Sequence, residues 1–241
     1  MKRDLPPWWS VLYYGLLLGT LFLFAELAEG IYAVEGFAFD SAILSWLFEQ
    51  QSPLLTRLAL ALDLLGISYF LGALTVVAAL LVWSRSRSSS LFLILGFWGA
   101  VGVNLVAKEF FERVRPDLFE QLTPITNSSF PSGHAMGSFA FWLTCWLVVS
   151  RLAPGWRWFA GIVGCLFAVG VGASRLYLQV HYPSDVLAGW ALSTAWVMGI
   201  ALWYTHGFRH LSPVEVTPVV QAASPESPSS EPLPPIPVEP H

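Results

Sequence analysis

Long apolar runs broken by short polar turns dominate this chain. Six stretches read as membrane spans: Trp8–Ala25, Leu64–Trp83, Ser88–Ala107, Ala135–Ser150, Trp158–Ser174 and Val186–Thr205. A hydrocarbon core takes roughly 20 apolar residues to cross as a helix. Five of the six meet or approach that length without one Lys, Arg, Asp or Glu. The fourth is shorter, but it follows a polar Pro131-Ser132-Gly133-His134 turn and extends into it. The first stretch also has a signal-peptide layout, with Lys2 and Arg3 before an apolar run. It is longer than an ordinary h-region and lacks a clean small-residue cleavage site, so it is read as a span.

Two segments depart from this pattern. In Asp40–Asp63, Ile43, Leu44, Leu47, Phe48, Leu54, Leu55, Leu58 and Leu62 recur at helical spacing among Glu49, Gln50, Gln51 and Arg57, with Pro53 interrupting. That spacing predicts short helices lying at the membrane surface, with their apolar side against lipid or the bundle. From Ser212 to His241 the chain turns Pro-rich and acidic, with no Lys or Arg. Such a tail buries too little surface to offset its ordering entropy and is expected to be disordered. Its prolines also fit a polyproline ligand, but a solvated tail is the plainer reading. The expected architecture is therefore all-α. Residues 1–211 form a six-transmembrane-helix bundle with short surface helices, and residues 212–241 form the tail.

Composition agrees. Of 241 residues, 55% are hydrophobic and 12% charged, with a mean hydropathy of +0.60. Soluble domains lie nearer 45–50% and about 25%. The lipid bilayer is the expected solvent, and a net charge of -4 gives no reason to expect a nucleic-acid partner. Cys145 and Cys165 sit within apolar runs and read as packed thiols. With six spans, Lys2, Arg3, Arg85, Arg87, Arg151, Arg157 and Arg209 fall on one side. Arg57, Lys108, Arg113, Arg115 and Arg175 fall on the other. The positive-inside rule then places both termini in the cytoplasm. The margin widens if Lys108, Arg115 and Arg175 are set aside for chemistry.

The same topology gathers the conspicuous polar residues on one face. Lys108 and Arg115 follow the third span, Ser132 and His134 open the fourth, Arg175 ends the fifth, and His181 and Asp185 precede or begin the sixth. Any one alone reads as an interfacial anchor. Three cations and two histidines together point to a site that binds and processes an anion. Lys108 and Arg115, seven apart, are expected to project from one side of a helix ended by Pro116. Ser132 suits a helix cap whose amides bind an anion, and Gly133 permits close backbone approach. Pro183 favours a break after His181, leaving Asp185 in the first turn of the next helix. There its carboxylate can accept from one ring nitrogen and free the other for attack. His134 is placed to protonate a leaving alkoxide.

These residues resemble the motifs of the type-2 phosphatidic acid phosphatase superfamily, which also includes glucose-6-phosphatase and vanadium haloperoxidases. Lys108 through Arg115-Pro116 fits the first motif, Pro131-Ser132-Gly133-His134 the second, and Ser174-Arg175 through His181 to Asp185 the third. The resemblance implies a phosphohistidine formed on His181, with Asp185 orienting it and His134 as general acid. Lys108, Arg115, Arg175, Ser132 and the Gly133 amide would hold the phosphoryl oxygens, with no metal or cofactor. The implied substrate is a lipid phosphate or diphosphate: phosphatidate, phosphatidylglycerophosphate or undecaprenyl diphosphate. An extracytoplasmic active side suits recycling of an isoprenoid diphosphate carrier or dephosphorylation of an outer-leaflet phospholipid. Two other readings are a vanadium-dependent haloperoxidase-like enzyme and a catalytically inactive lipid-binding or transport protein. Glu26 and Glu29, at the end of the first span, are candidate head-group contacts.

Overall fold

The structure is a computed structural model, and it describes residues 7–34, 36–123 and 125–207. Eight α-helices follow in chain order: α1 (Pro7–Val34), α2 (Ala38–Glu49), α3 (Pro53–Leu65), α4 (Ser68–Trp83), α5 (Arg87–Phe111), α6 (Gly133–Leu152), α7 (Arg157–Tyr177) and α8 (Pro183–Gly207). No strand occurs among the described residues. The Pro-rich tail and its boundary at Ser212 lie outside them.

Local chemistry sets several helix ends. Ser52 accepts from the Leu55 amide at the start of α3, with Pro53 at the first helical position. Ser86 does the same for Ser89 in α5, and Ser132 for Ala135 in α6. Each cap satisfies an amide that the helix itself leaves unpaired. α8 opens on Pro183, where the missing N–H costs nothing.

Five helices, α1 and α5 through α8, are long and apolar enough to cross a membrane. The second predicted span is built differently. α4 has 16 residues and follows α3 across a 52° bend at Gly66-Ile67; taken together the pair is long and apolar enough to count as a broken sixth span. α3 packs one side on α7, where Ala59 is buried, while Leu54, Leu55, Leu58, Leu60, Leu64 and Leu65 stay exposed on the rest of the helix. Tyr177, at the end of α7, donates to the Ser52 carbonyl at 3.2 Å and lies 3.0 Å from the Thr56 hydroxyl.

The core lies between α4, α5, α6 and α8, where Phe92, Leu93, Ala100, Met136, Ala140 and Val197 are buried. Close crossings depend on small residues, as membrane bundles require. A Cβ added at Gly96 would sit 2.1 Å from Thr144 of α6. The outside is apolar: Val11 and Phe22 of α1, Leu80 and Leu81 of α4, and Trp158 and Leu166 of α7 are all exposed. Surfaces of that kind are stable against lipid chains and not against water. Cys145 and Cys165 are free and half-buried, with Cys145 packed on the core.

Candidate active site

Helix direction brings the ends of α3, α5 and α7 and the starts of α6 and α8 to one end of the bundle. His181 occupies the loop between α7 and α8, one turn before Asp185, and is 2% exposed. Its Nδ1 lies 3.3 Å from Asp185 Oδ2, and its Nε2 lies 3.2 Å from Arg115 Nη1. A guanidinium only donates, so Nε2 carries the lone pair and Nδ1 carries the proton turned to Asp185. The expected pairing with Asp185 is therefore present, and it leaves Nε2 facing the cations. Burial, and then the charges of Arg115, Arg175, Lys108 and His134, push His181 well below the ordinary histidine value. The ring is thereby held in its neutral form, which keeps the lone pair on Nε2.

Arg115 does not continue α5, contrary to the expectation of one shared helix face with Lys108. The helix ends at Phe111, where Glu112 turns left-handed at φ 45°, and Arg115 follows on non-helical chain. The residue before a proline is driven out of helical geometry, which Pro116 does to Arg115. The two cations still converge through the 127–128 loop. Lys108 donates to the Ser128 carbonyl, while Arg115 donates to the Asn127 carbonyl at 2.8 Å and its side-chain oxygen at 2.6 Å. Arg115 also donates to the Val180 carbonyl at 2.6 Å, clamping the residue before His181. Burial lowers its proton affinity while Asp185 opposes that, and it remains a cation.

Ser132 caps α6 as expected, its Oγ accepting from the Ala135 amide, and its own amide donates to the Asp185 carbonyl at 3.1 Å. Gly133 fits because side chains crowd it: an added Cβ would lie 3.0 Å from Asn104 Oδ1 and 3.9 Å from Lys108 Cε. His134 Nε2 lies 3.3 Å from Asp63 Oδ1, within ion-pair distance but without hydrogen-bond alignment. Arg175, fully buried, forms an ion pair with the same carboxylate. Among the described residues its Nε and Nη2 make no hydrogen bond, so these donors are desolvated and uncommitted.

All eight expected residues thus meet at one end of the bundle. Glu26 and Glu29 are exposed on α1, and no hydrogen bond or ion pair among the described residues joins them to this cluster. Sequence reading missed Asp63, which bridges His134 and Arg175. It also missed Arg113, which lies 2.5 Å from Asp185 and 3.0 Å from Asp40. An isolated acid at the end of an apolar helix was the available signal for Asp63. Arg113 was hidden as one of several loop cations.

Beside the cations lies a cavity of about 630 Å³. Lys108, Arg115 and Asn127 line its polar part, and Leu105 and Val114 its apolar part. Leu105, Val106, Phe110 and Val114 form an exposed apolar surface next to it. A headgroup can therefore reach the cations while its tail stays in lipid.

Residues 89–209 match the family model of the PAP2 superfamily. The chain is 30% identical to an undecaprenyl-diphosphatase of Sulfolobus acidocaldarius, over 77% of this chain and 87% of that protein. It is 34% identical to a phosphatidylglycerophosphatase B of Bacillus subtilis, over 72% of this chain and 87% of that protein. Among solved structures, a transmembrane PAP2-type phosphatidylglycerolphosphate phosphatase from Bacillus subtilis superposes with a TM-score of 0.73 at 28% identity. It covers 81% of this chain and 98% of its own. Motifs, site geometry, fold and relatives agree: the chain belongs to the PAP2 superfamily, as a multi-pass membrane phosphatase.

Proposed function

We propose that this protein hydrolyses a lipid phosphate or diphosphate through a phosphohistidine on His181. The observation that carries the reading is the placement of His181, with Nδ1 3.3 Å from Asp185 Oδ2 and Nε2 3.2 Å from Arg115 Nη1, which assigns the proton to Nδ1 and the lone pair to Nε2. When a phosphate enters, its oxygens replace His181 as acceptors for Arg115 and take up the buried donors of Arg175, together with Lys108. His181 Nε2 then attacks phosphorus as the bond to the leaving oxygen breaks, and His134 gives that oxygen its proton. Charge spreading over the equatorial oxygens is stabilised by the three cations and by the amides at the start of α6. Water next attacks the phosphohistidine, giving a proton back to His134 as the P–N bond breaks, which releases phosphate and restores neutral His181. The side chains supply the positive charge for this reaction, and no step calls for a divalent ion.

The relatives named above act on undecaprenyl diphosphate and on phosphatidylglycerophosphate, and both are candidate substrates here alongside phosphatidate. The apolar surface beside the cavity favours a phosphate carried on a lipid. The active end is placed outside the cytoplasm, with both termini inside. Arg113, one of the opposing charges in the sequence count, is neutralised in a buried ion-pair set, which strengthens that orientation. The haloperoxidase alternative is not favoured, since the family relatives are membrane phosphatases. An inactive lipid binder would not need the nucleophile, its orienting acid and the proton donor together.

The test is phosphate release in detergent with EDTA from phosphatidate, lysophosphatidate, phosphatidylglycerophosphate and undecaprenyl diphosphate. Activity should persist in EDTA and vanish in His181→Ala. Strict Mg²⁺ dependence, or full activity in that variant, would sink the mechanism. Labelling of engineered cysteines from one side of sealed vesicles tests the orientation separately.

A further inference from the structure

Behind His181 lies a second, almost dry set of charges that the three motifs do not describe. Arg113, on the chain after α5, donates through Nη1 to Asp185 Oδ1 at 2.5 Å and to Ser184 Oγ at 2.8 Å. Its Nη2 donates to Asp40 Oδ2 at 3.0 Å. Asp40, in the first turn of α2, also accepts from the Ser184 amide at 2.8 Å and the Ser184 hydroxyl at 2.6 Å. The Tyr182 ring covers the guanidinium, with its centroid 4.1 Å from Arg113 Cζ. Gly36, at φ +133°, lets the chain turn beside this group, and a Cβ there would come within 3.2 Å of Arg113 Nη2. All three charged side chains are buried.

Two carboxylates around one guanidinium are a costly way to hold three segments together, because apolar side chains of similar volume commonly do as well or better. What apolar packing cannot do is hold a carboxylate at a set angle. Asp185 Oδ1 is taken by Arg113, and Oδ2 by the Tyr182 amide at 2.9 Å and by His181 Nδ1. Arg113 is the charged anchor of this carboxylate, with the Ser129 side chain as a further, uncharged partner; without Arg113, Asp185 shares its surroundings with a second acid and no cation joins the two.

We infer that Arg113 is a positioning residue of the reaction: it holds Asp185 so that Oδ2 meets His181 Nδ1, and Asp40 holds Arg113. This rests on His181 being the nucleophile. Asp40 acts on the reaction through Arg113 and through its Ser184 contacts at the start of α8, so α2 belongs to the working site although it contributes no group to the phosphate.

The experiment compares the full-length wild type with Arg113→Met, Arg113→Lys, Asp40→Asn and Asp40→Asn/Arg113→Met in detergent. It reads kcat, KM, inhibition by inorganic phosphate and thermal midpoint. Arg113→Met should lower kcat about 100-fold and Asp40→Asn about 5-fold, as supporting hydrogen-bond partners typically do. KM and phosphate inhibition should stay within about threefold, because the oxygen-binding cations are untouched. Arg113→Lys should recover about tenfold over Met. Losses in the double variant should be less than multiplicative, since the Arg113 side chain that Asp40 holds is already gone and only its Ser184 contacts remain to be disturbed. Multiplicative losses in the double variant, or a wild-type kcat in Arg113→Met, would overturn the inference. If Arg113→Met does not fold, the double variant, which buries one charge fewer, decides by the same kcat comparison. His181→Ala run in parallel separates the two readings. An inactive His181→Ala beside a normal Arg113→Met removes only this inference, whereas an active His181→Ala removes the phosphohistidine.

Discussion

The two histidines of the site are held in opposite ways. His181 is buried between a donor and an acceptor, Arg115 on one nitrogen and Asp185 on the other, and its loop is clamped through Val180. His134 keeps 24% of its side chain exposed and meets one carboxylate, Asp63, which it shares with Arg175. A nucleophile works from a single tautomer and a single direction of attack, so rigid opposed partners suit it. A group that gives up and regains a proton in each cycle suits a looser setting, although His134 Nε2 is itself buried against Asp63. The difference in setting matches the difference in role.

That comparison can be broken, and the largest effect should come at the rigid histidine. His181→Ala is expected to lower kcat by about 10⁴-fold or more, the scale on which loss of a catalytic triad member is felt, with no acid-labile phosphoenzyme in a rapid quench. His134→Ala should cost about 10²- to 10³-fold with a lipid alkoxide leaving group, within the range of general acid catalysis. With p-nitrophenyl phosphate, whose leaving group needs little protonation, the loss should shrink to a few-fold. Equal losses on both substrates would remove the acid role. Asp63→Asn touches His134 and Arg175 at once. It is expected to lower kcat/KM about tenfold, on the scale of a lost supporting partner, with part of the change in KM; a change confined to kcat would separate Asp63 from Arg175.

The smallest expected effect is a shift in pH dependence. Burial and the surrounding cations disfavour the proton on His181 Nε2, so the acid limb of kcat/KM should lie below the ordinary histidine value of 6.5. Arg115→Met removes one of those cations, making protonation easier and moving the limb upward toward 6.5. Running one substrate through both enzymes cancels the substrate's own titration. A limb that stays in place would show that Arg115 does not face the ring in solution.

Much of this was legible before any coordinates. Hydropathy alone locates the spans, because a helix in lipid must show lipid an apolar surface along its whole length. The residue types from Lys108 to Asp185 disclose an anion site, since cations and histidines at span ends on one face have few other uses. The pairing of His181 with Asp185 was also readable, because the two lie one helical turn apart. Local spacing misled at Arg115, where the helix stops four residues early.

Asp63 and Arg113 mark where sequence stops and tertiary structure begins. Asp63 reaches His134 and Arg175 only because α3 packs on α7, and Arg113 reaches Asp40 and Asp185 only because the ends of α2, α5 and α8 converge. Spacing along a chain governs neighbours within a turn or two, whereas these partners are separated by dozens of residues and brought together by helix packing. The amino-acid sequence by itself determined that this is a membrane-embedded chain with three cations, two histidines and an acid gathered at one face. The tertiary structure decided which nitrogen of His181 is free, which acid serves each basic group, and that α2 and α3 take part in the site.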